Sequence, residues 1–219
     1  MQVEIWSDVV CPWCYIGKRR FESALARFEH RDDVEAVWRS FELDPTTPRH
    51  RSGNLTEHLS GKYGIDVAEA RSMQDRVTAI AADEGLEYHF DLAQPTNSFD
   101  AHRLIHFSRR YGHQDAMKER LLRAYFTEGQ NIADLETLVE LADEVGLAGH
   151  EVRSMLLSND LADSVRADER EARTLGISGV PFFVLNRAYG VSGAQPAEVM
   201  LDALRTAWAA SHSVAAAAD

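Results

Sequence analysis

The chain has two cysteines, and they stand two residues apart in Cys11-Pro12-Trp13-Cys14. Such a pair can run thiol-disulfide exchange: one thiolate attacks a partner's disulfide, and the second sulfur displaces the product from the mixed disulfide so formed. The close spacing lets Cys14, as the resolving thiol, reach a mixed disulfide formed by Cys11, whose place at the helix start described below makes it the nucleophile. Two cysteines this close cannot build a structural disulfide framework, which leaves a redox pair, a packing role or half of a metal site. The apolar strand pattern Val3 to Trp6 precedes the motif, and a helix opens at it, with Pro12 where a first-turn proline is tolerated. A helix start offers unpaired N–H groups and the positive end of the dipole, so Cys11 is expected to have a lowered pKa. Cys11 is also expected to be solvent-accessible, because it meets outside partners, and Cys14 to be covered.

Two competing readings are weaker. His102 and His106 stand four apart on an expected helix and, with Cys11 and Cys14, would make four ligands for zinc. The gap from Cys14 to His102 is far longer than the compact finger spacing of about 12 to 15 residues, and we expect no metal. The packing reading loses ground because the motif lies after a strand and opens the helix of a βαβ unit, the setting of thioredoxin-like redox motifs.

The elements around the motif follow from periodicity. Ile16, Phe21, Leu25 and Phe28 carry the first helix, Asp32-Asp33 end it, and Val34 to Phe41 reads as a strand, giving a right-handed β-α-β unit. Helical signals then follow at Thr56 to Tyr63, Asp66 to Glu84, Ser98 to Tyr111, Gln114 to Glu128, Asp134 to Val145 and His150 to Leu157, with Gly64, Gly85, Gly112, Gly129 and Gly146 at the expected C-terminal caps. A further helix spans Leu161 to Leu175. Val180 to Leu185 and Tyr189 to Val191 read as a strand pair, and a last helix starts at Pro196. The expected class is α/β, a β-α-β part and a C-terminal β-β-α part separated by a large all-helical insertion. We expect residues 1–52 and 160–211 to form one discontinuous domain, 53–159 the helical insertion domain, and 212–219 a disordered tail.

Val180-Pro181 is the second feature that can do chemistry. Pro181 lacks the N–H that a central strand needs, so a strand edge or a turn is implied. Were the bond cis, the Val180 backbone would be free to pair with an extended substrate beside Cys11; an ordinary trans proline at a strand start is the alternative.

The net charge of −12 and the lack of a basic stripe longer than Lys18-Arg19-Arg20 speak against nucleic acid and anionic membrane surfaces as partners. The longest apolar run, Val180 to Leu185, is far short of the roughly 20 residues of a membrane span. No basic segment followed by an apolar stretch opens the chain, so a cytoplasmic location is expected.

Several strings resemble the DsbA-like proteins of the thioredoxin superfamily, and within them the FrnE-like branch. They are Ser7 to Lys18, Asn97-Ser98 with Ala101 to Leu104, Ala124-Tyr125-Phe126, and Gly176 to Phe183 followed by Val191 to Gln195. The resemblance implies a thioredoxin fold with a helical insertion, nucleophilic Cys11, resolving Cys14 and a cis-Pro181, with Pro12, Trp13 and Val180 supporting the site. The branch is similar to 2-hydroxychromene-2-carboxylate isomerases and kappa-class glutathione transferases, where a serine typically holds the first cysteine position. Cys11 favours redox chemistry here, and a thiol-dependent isomerase or transferase is the alternative. No tightly bound cofactor is expected beyond the redox-active Cys11-Cys14 disulfide, with a low-molecular-weight thiol as a possible co-substrate and a thiol- or disulfide-bearing protein or small molecule as partner. Asn97, His102 and Phe182 are candidates for the substrate groove. For Asn97 and His102 the competing structural reading, an N-cap at Asn97 or Ser98 and a polar helix face at His102, is the favoured one. Asp8 is expected to cap the motif helix.

Overall fold

The computed structural model describes residues 1–49 and 53–216. Strand β1 (Gln2–Ser7) leads into helix α1 (Pro12–Ala26), and a short 3-10 turn (Arg31–Asp33) returns the chain to β2 (Glu35–Ser40). Six helices follow: α2 (Leu55–Tyr63), α3 (Val67–Asp83), α4 (Phe99–Arg109), α5 (Gln114–Phe126), α6 (Leu135–Glu144) and α7 (Gly149–Leu157). Helix α8 (Ala162–Thr174), strands β3 (Phe182–Leu185) and β4 (Tyr189–Ser192) and helix α9 (Ala197–Ala216) complete the fold.

The sheet order is β2-β1-β3-β4. β1 runs parallel to β2, as a βα crossover requires, and antiparallel to β3, with Trp6 opposite Phe182. Because strand side chains alternate, Val3, Ile5, Phe183 and Leu185 point to one face and pack with Phe21 of α1 and Leu204 of α9. Trp6 and Val184 point to the other face, onto Ala172 of α8. The first of these clusters continues without a break through Leu104, Leu121 and Leu138 of the helical segment, so sheet and insertion share one apolar core.

Local signals set most helix ends. Asn54, Asp66 and Asp134 each accept a hydrogen bond from the backbone N–H three residues on, at 2.8, 2.7 and 3.0 Å, satisfying a donor that a helix start leaves free. The five glycines expected to close helices all have left-handed backbone, Gly64 with φ 65° directly at the end of α2. The strand expected from Val180 pairs only from Phe182, because Pro181 has no N–H to give. Helix α9 is drawn through Ala216. Residues 217–219, and residues 50–52 beside the expected domain boundary, lie outside the described residues. No helix among the described residues is long and apolar enough to cross a membrane.

Candidate active site

Cys11 is the N-cap of α1, with extended backbone, and its carbonyl accepts the Cys14 N–H at 3.0 Å, so both sulfurs belong to one helical turn. β1 ends just before this turn and β3 begins just after Pro181. Their antiparallel pairing therefore brings together two segments about 170 residues apart. The Val180-Pro181 peptide bond is cis, and the Cys11 S–H donates to the Val180 carbonyl at 3.5 Å. Gly17 makes this approach possible: a Cβ there would stand 2.8 Å from Cγ of Pro181, closer than packed atoms allow. From the insertion, Tyr88 Oη donates to the Pro12 carbonyl at 2.7 Å and ties the motif to the segment after α3.

Both cysteines are free thiols. Contrary to the expectation of a solvent-accessible nucleophile, Cys11 is 4% exposed and Cys14 1%, because the helical segment closes over the motif. The asymmetry survives in another form, since Cys11 lines a cavity and Cys14 does not. Their protonation is shared. The hydrogen bond with Cys14 and then burial push the Cys11 thiol well up; burial also pushes Cys14 up, but the bond from Cys11 and the charge of Lys118 outweigh it and leave Cys14 lowered. The two sulfurs thus share a proton and titrate as a pair. In this closed dithiol the bond to Cys14 and burial outweigh the lowering that the helix start was expected to give Cys11.

The cavity measures about 330 Å3. Cys11, Pro12, Trp13 and Val180 form one side of it; α2, α3, the segment before α4, and Tyr125 form the other. Trp13 is 39% exposed at its margin. Asn97, His102 and Phe182 do not line it. Asn97 Oδ1 instead accepts the Phe99 N–H at 2.9 Å at the start of α4, while its Nδ2 donates to the Thr47 carbonyl at 3.0 Å. Phe182 lies on the opposite face of the sheet beside Trp6. His102 is buried with its Nε2 3.2 Å from Asp8 Oδ1, and His106 Nε2 stands 2.9 Å from Asp168, so the two histidines serve separate carboxylates. Asp8 does not cap α1. Its Oδ2 takes the Leu43 N–H at 2.7 Å, and although burial raises its pKa, the His102 bond and charge hold it below the usual carboxylate value.

Sequence reasoning missed a residue behind the motif. Gln114 of α5 clamps strand β2 by accepting the Trp38 N–H at 3.1 Å and donating to the Trp38 carbonyl at 3.0 Å. One turn later, Lys118 is 1% exposed, with its ammonium 5.5 Å from the Trp38 ring centroid and no carboxylate at ion-pair distance among the described residues. Burial pushes its pKa down to about 8, opposed most by the charge of Cys14. The only sequence signal was its rarity, as one of three lysines in the chain.

A Cys-x-x-Cys turn opening α1, set against a cis-proline at the head of an antiparallel strand, defines the class: a thioredoxin-fold protein of the thiol type, carrying a helical insertion. Residues 2–205 match the family described as DSBA-like thioredoxin domain, and the chain belongs to that family. A probable DsbA oxidoreductase from Streptomyces coelicolor has 50% sequence identity and a TM-score of 0.90, over 95% of this chain and 90% of that one. The protein YwbO of Bacillus subtilis (strain 168), itself uncharacterized, is 31% identical over 188 residues, 84% of this chain and 86% of its own. The cytosolic disulfide reductase DsbM of Pseudomonas aeruginosa shares the fold at 20% identity and a TM-score of 0.68, over 94% of this chain and 98% of that one, and has also been solved with GSH.

Proposed function

We propose that the chain is a thiol-disulfide oxidoreductase of the FrnE-like branch, working through the Cys-x-x-Cys motif with Cys11 as nucleophile and Cys14 as resolving thiol. The observation that carries this reading is that Cys11 alone of the pair faces the cavity, with Cys14 behind it on the same turn. The shared proton passes to Cys14, and the Cys11 thiolate so formed attacks a substrate disulfide and expels one thiolate; Cys14, giving the proton up in turn, attacks Cys11 Sγ, releasing the second and leaving the Cys11-Cys14 disulfide. Pro12, Trp13, Val180 and Pro181 shape the entrance, and segment 53–159 acts as the wall that screens the sulfurs. The partners are disulfide- or thiol-bearing proteins or small molecules, a low-molecular-weight thiol among them, with no bound cofactor. The site of action is the cytoplasm, as for the cytosolic DsbM.

Trapping tests the assignment. Cys14→Ser should accumulate a stable mixed disulfide through Cys11, visible by mass spectrometry, and Cys11→Ser should accumulate none. A mixed disulfide forming on Cys14 instead would reverse the roles. In the reduced native protein, a small alkylating agent should modify Cys11 before Cys14.

The enclosure of Cys11 by largely apolar walls also suits a small substrate held beside a thiol, which favours a second reading, thiol-dependent isomerisation of the 2-hydroxychromene-2-carboxylate type. Turnover of that compound that needs added glutathione and persists in Cys14→Ser would support it.

A further inference from the structure

The chain leaves β2 at Ser40 and runs on as a thin partition between two cavities. Leu43, Asp44 and Thr47 line the Cys11 cavity. Glu42 and Pro45 line a second one of about 420 Å3, together with Glu169 and Arg173 of α8 and Ile177. Arg166 Nη1 of α8 donates to both Glu42 Oε2 and Glu169 Oε2, so carboxyl groups from two elements converge on one nitrogen. The Glu42 side chain is 2% exposed and that of Glu169 11%, whereas Arg166, over the Phe99 ring, is 41% exposed and its charge is partly screened by water. Glu169 Oε1 is buried without a hydrogen-bond partner among the described residues. Two ionised carboxylates would share one guanidinium and leave that oxygen without a donor; a proton on Glu42, donated to Glu169, relieves both. In agreement, burial and then the bond with Glu169 raise Glu42 to about 7 despite Arg166. The other groups about the pair have their own places. Asn97 Nδ2, before α4, stands 3.5 Å from Glu42 Oε1 and 3.0 Å from the Thr47 carbonyl. Asp168, next along α8, is taken up by Arg39, His106 and the Ser40 N–H, and Asp44 by Thr46.

We propose that the Glu42–Glu169 pair is a proton-operated latch on the wall of the Cys11 cavity: sharing one proton it holds residues 41–47 to α8, and when that proton leaves, the segment shifts toward the second cavity and uncovers Cys11. The second cavity gives the segment room to move, and Leu43 and Asp44, next to Glu42, carry the movement to the Cys11 side. Leu43 also reports it, because its N–H is held by Asp8 Oδ2 at 2.7 Å while the latch is closed. As a movement the latch is independent of the chemistry at Cys11; as control of disulfide exchange it rests on the proposed function.

The test is hydrogen exchange at the Leu43 amide of the reduced full-length protein, corrected for the intrinsic pH dependence of exchange. With Glu42 at about 7 when latched and about 4.3 when released, the closed form binds more protons, so the opening constant should rise about tenfold from pH 6 to pH 8. Glu42→Gln keeps a donor toward Glu169 but cannot titrate, and in it Leu43 protection should stay within about twofold over the same range. Glu169→Gln removes the second carboxylate and should flatten the profile likewise, which keeps the test open if Glu42→Gln fails to fold. Access is read by alkylation of Cys11 with iodoacetamide. The ratio of native to Glu42→Gln rates at equal pH, in which the thiolate fraction cancels, should rise by about tenfold from pH 6 to pH 8. Native Leu43 protection that does not fall, a fall that persists in both variants, or an alkylation ratio that does not rise overturns the latch and leaves the exchange reading intact. Failure of Cys14→Ser to trap a mixed disulfide would instead remove the exchange reading and leave the latch standing.

Discussion

His102 Nε2 stands 3.2 Å from Asp8 Oδ1, and both side chains are sealed from solvent. This pair braces the segment between β1 and the motif, because Asp8 also holds the Leu43 backbone. Replacing His102 with leucine leaves a buried carboxylate without its main partner, at a cost of about 3 kcal/mol, the low end for a broken buried pair since the backbone bond remains. Denaturant unfolding at pH 7 should show that loss, and adding Asp8→Asn should recover part of it. Because the folded Asp8 pKa is depressed, its contribution holds above the unfolded carboxylate value and is lost as pH falls through the folded one. The native-to-variant gap should therefore narrow in acid. A gap that stays constant from pH 7 to pH 3 would rule this account out.

Lys118 should respond to pH in the same sense but in an alkaline window. Folded, it releases its proton near 8; unfolded, it keeps it to about 10.4. Between these values the unfolded chain binds more protons, so stability rises with pH across that window, and the burden of the buried ammonium is greatest below pH 8. Lys118→Met should be more stable than the native protein at pH 7 by up to about 3 kcal/mol, with the difference closing toward pH 10.5. The same variant removes the positive charge that favours the Cys14 thiolate and should slow release of the mixed disulfide. A variant no more stable than the native protein at pH 7 contradicts the burial argument.

Glu42 gives a third pH signature. Burial, with a hydrogen bond to Glu169, raises its carboxyl to about 7 despite Arg166. The folded state thus holds an extra proton between the unfolded value of about 4.3 and 7, and stability falls as pH rises through that window. Glu42→Gln keeps a donor toward Glu169 without that titration. Relative to the native protein it should gain stability between pH 5 and pH 8, and equal differences at both values would show that Glu42 does not hold the proton.

Trp13 sits between the two sulfurs with its side chain on the cavity margin, and an indole supplies no charge to a thiolate. An imidazole there would stabilise the reduced form and raise the potential. The native protein should therefore fall between the thioredoxin value of about −270 mV and the DsbA value of about −120 mV, and Trp13→His should be more oxidising. Equilibration against glutathione buffers measures both, and an unchanged or lower potential in the variant would remove residue 13 from the control of Cys11.

What the sequence determined by itself is the chemistry that depends on near neighbours. The Cys11-Cys14 spacing, the proline at the helix start, the Asn54, Asp66 and Asp134 caps and the left-handed glycines all act within a turn or two of chain, and local patterns encode them. The short apolar patterns Val3 to Trp6 and Val180 to Leu185 likewise made these strands legible, because a sheet covered on both faces is apolar on both. Only the tertiary structure decided what lies beside the sulfurs. Burial and electrostatics sum over groups distant in the chain, so no pattern near Cys11 could show that the helical segment covers it. Nor could sequence show that Lys118 loses its water behind Cys14. The same physics moved His102 from the groove to Asp8: a histidine on a helix face reads alike whether that face meets substrate or a buried carboxylate, and packing alone distinguishes the two.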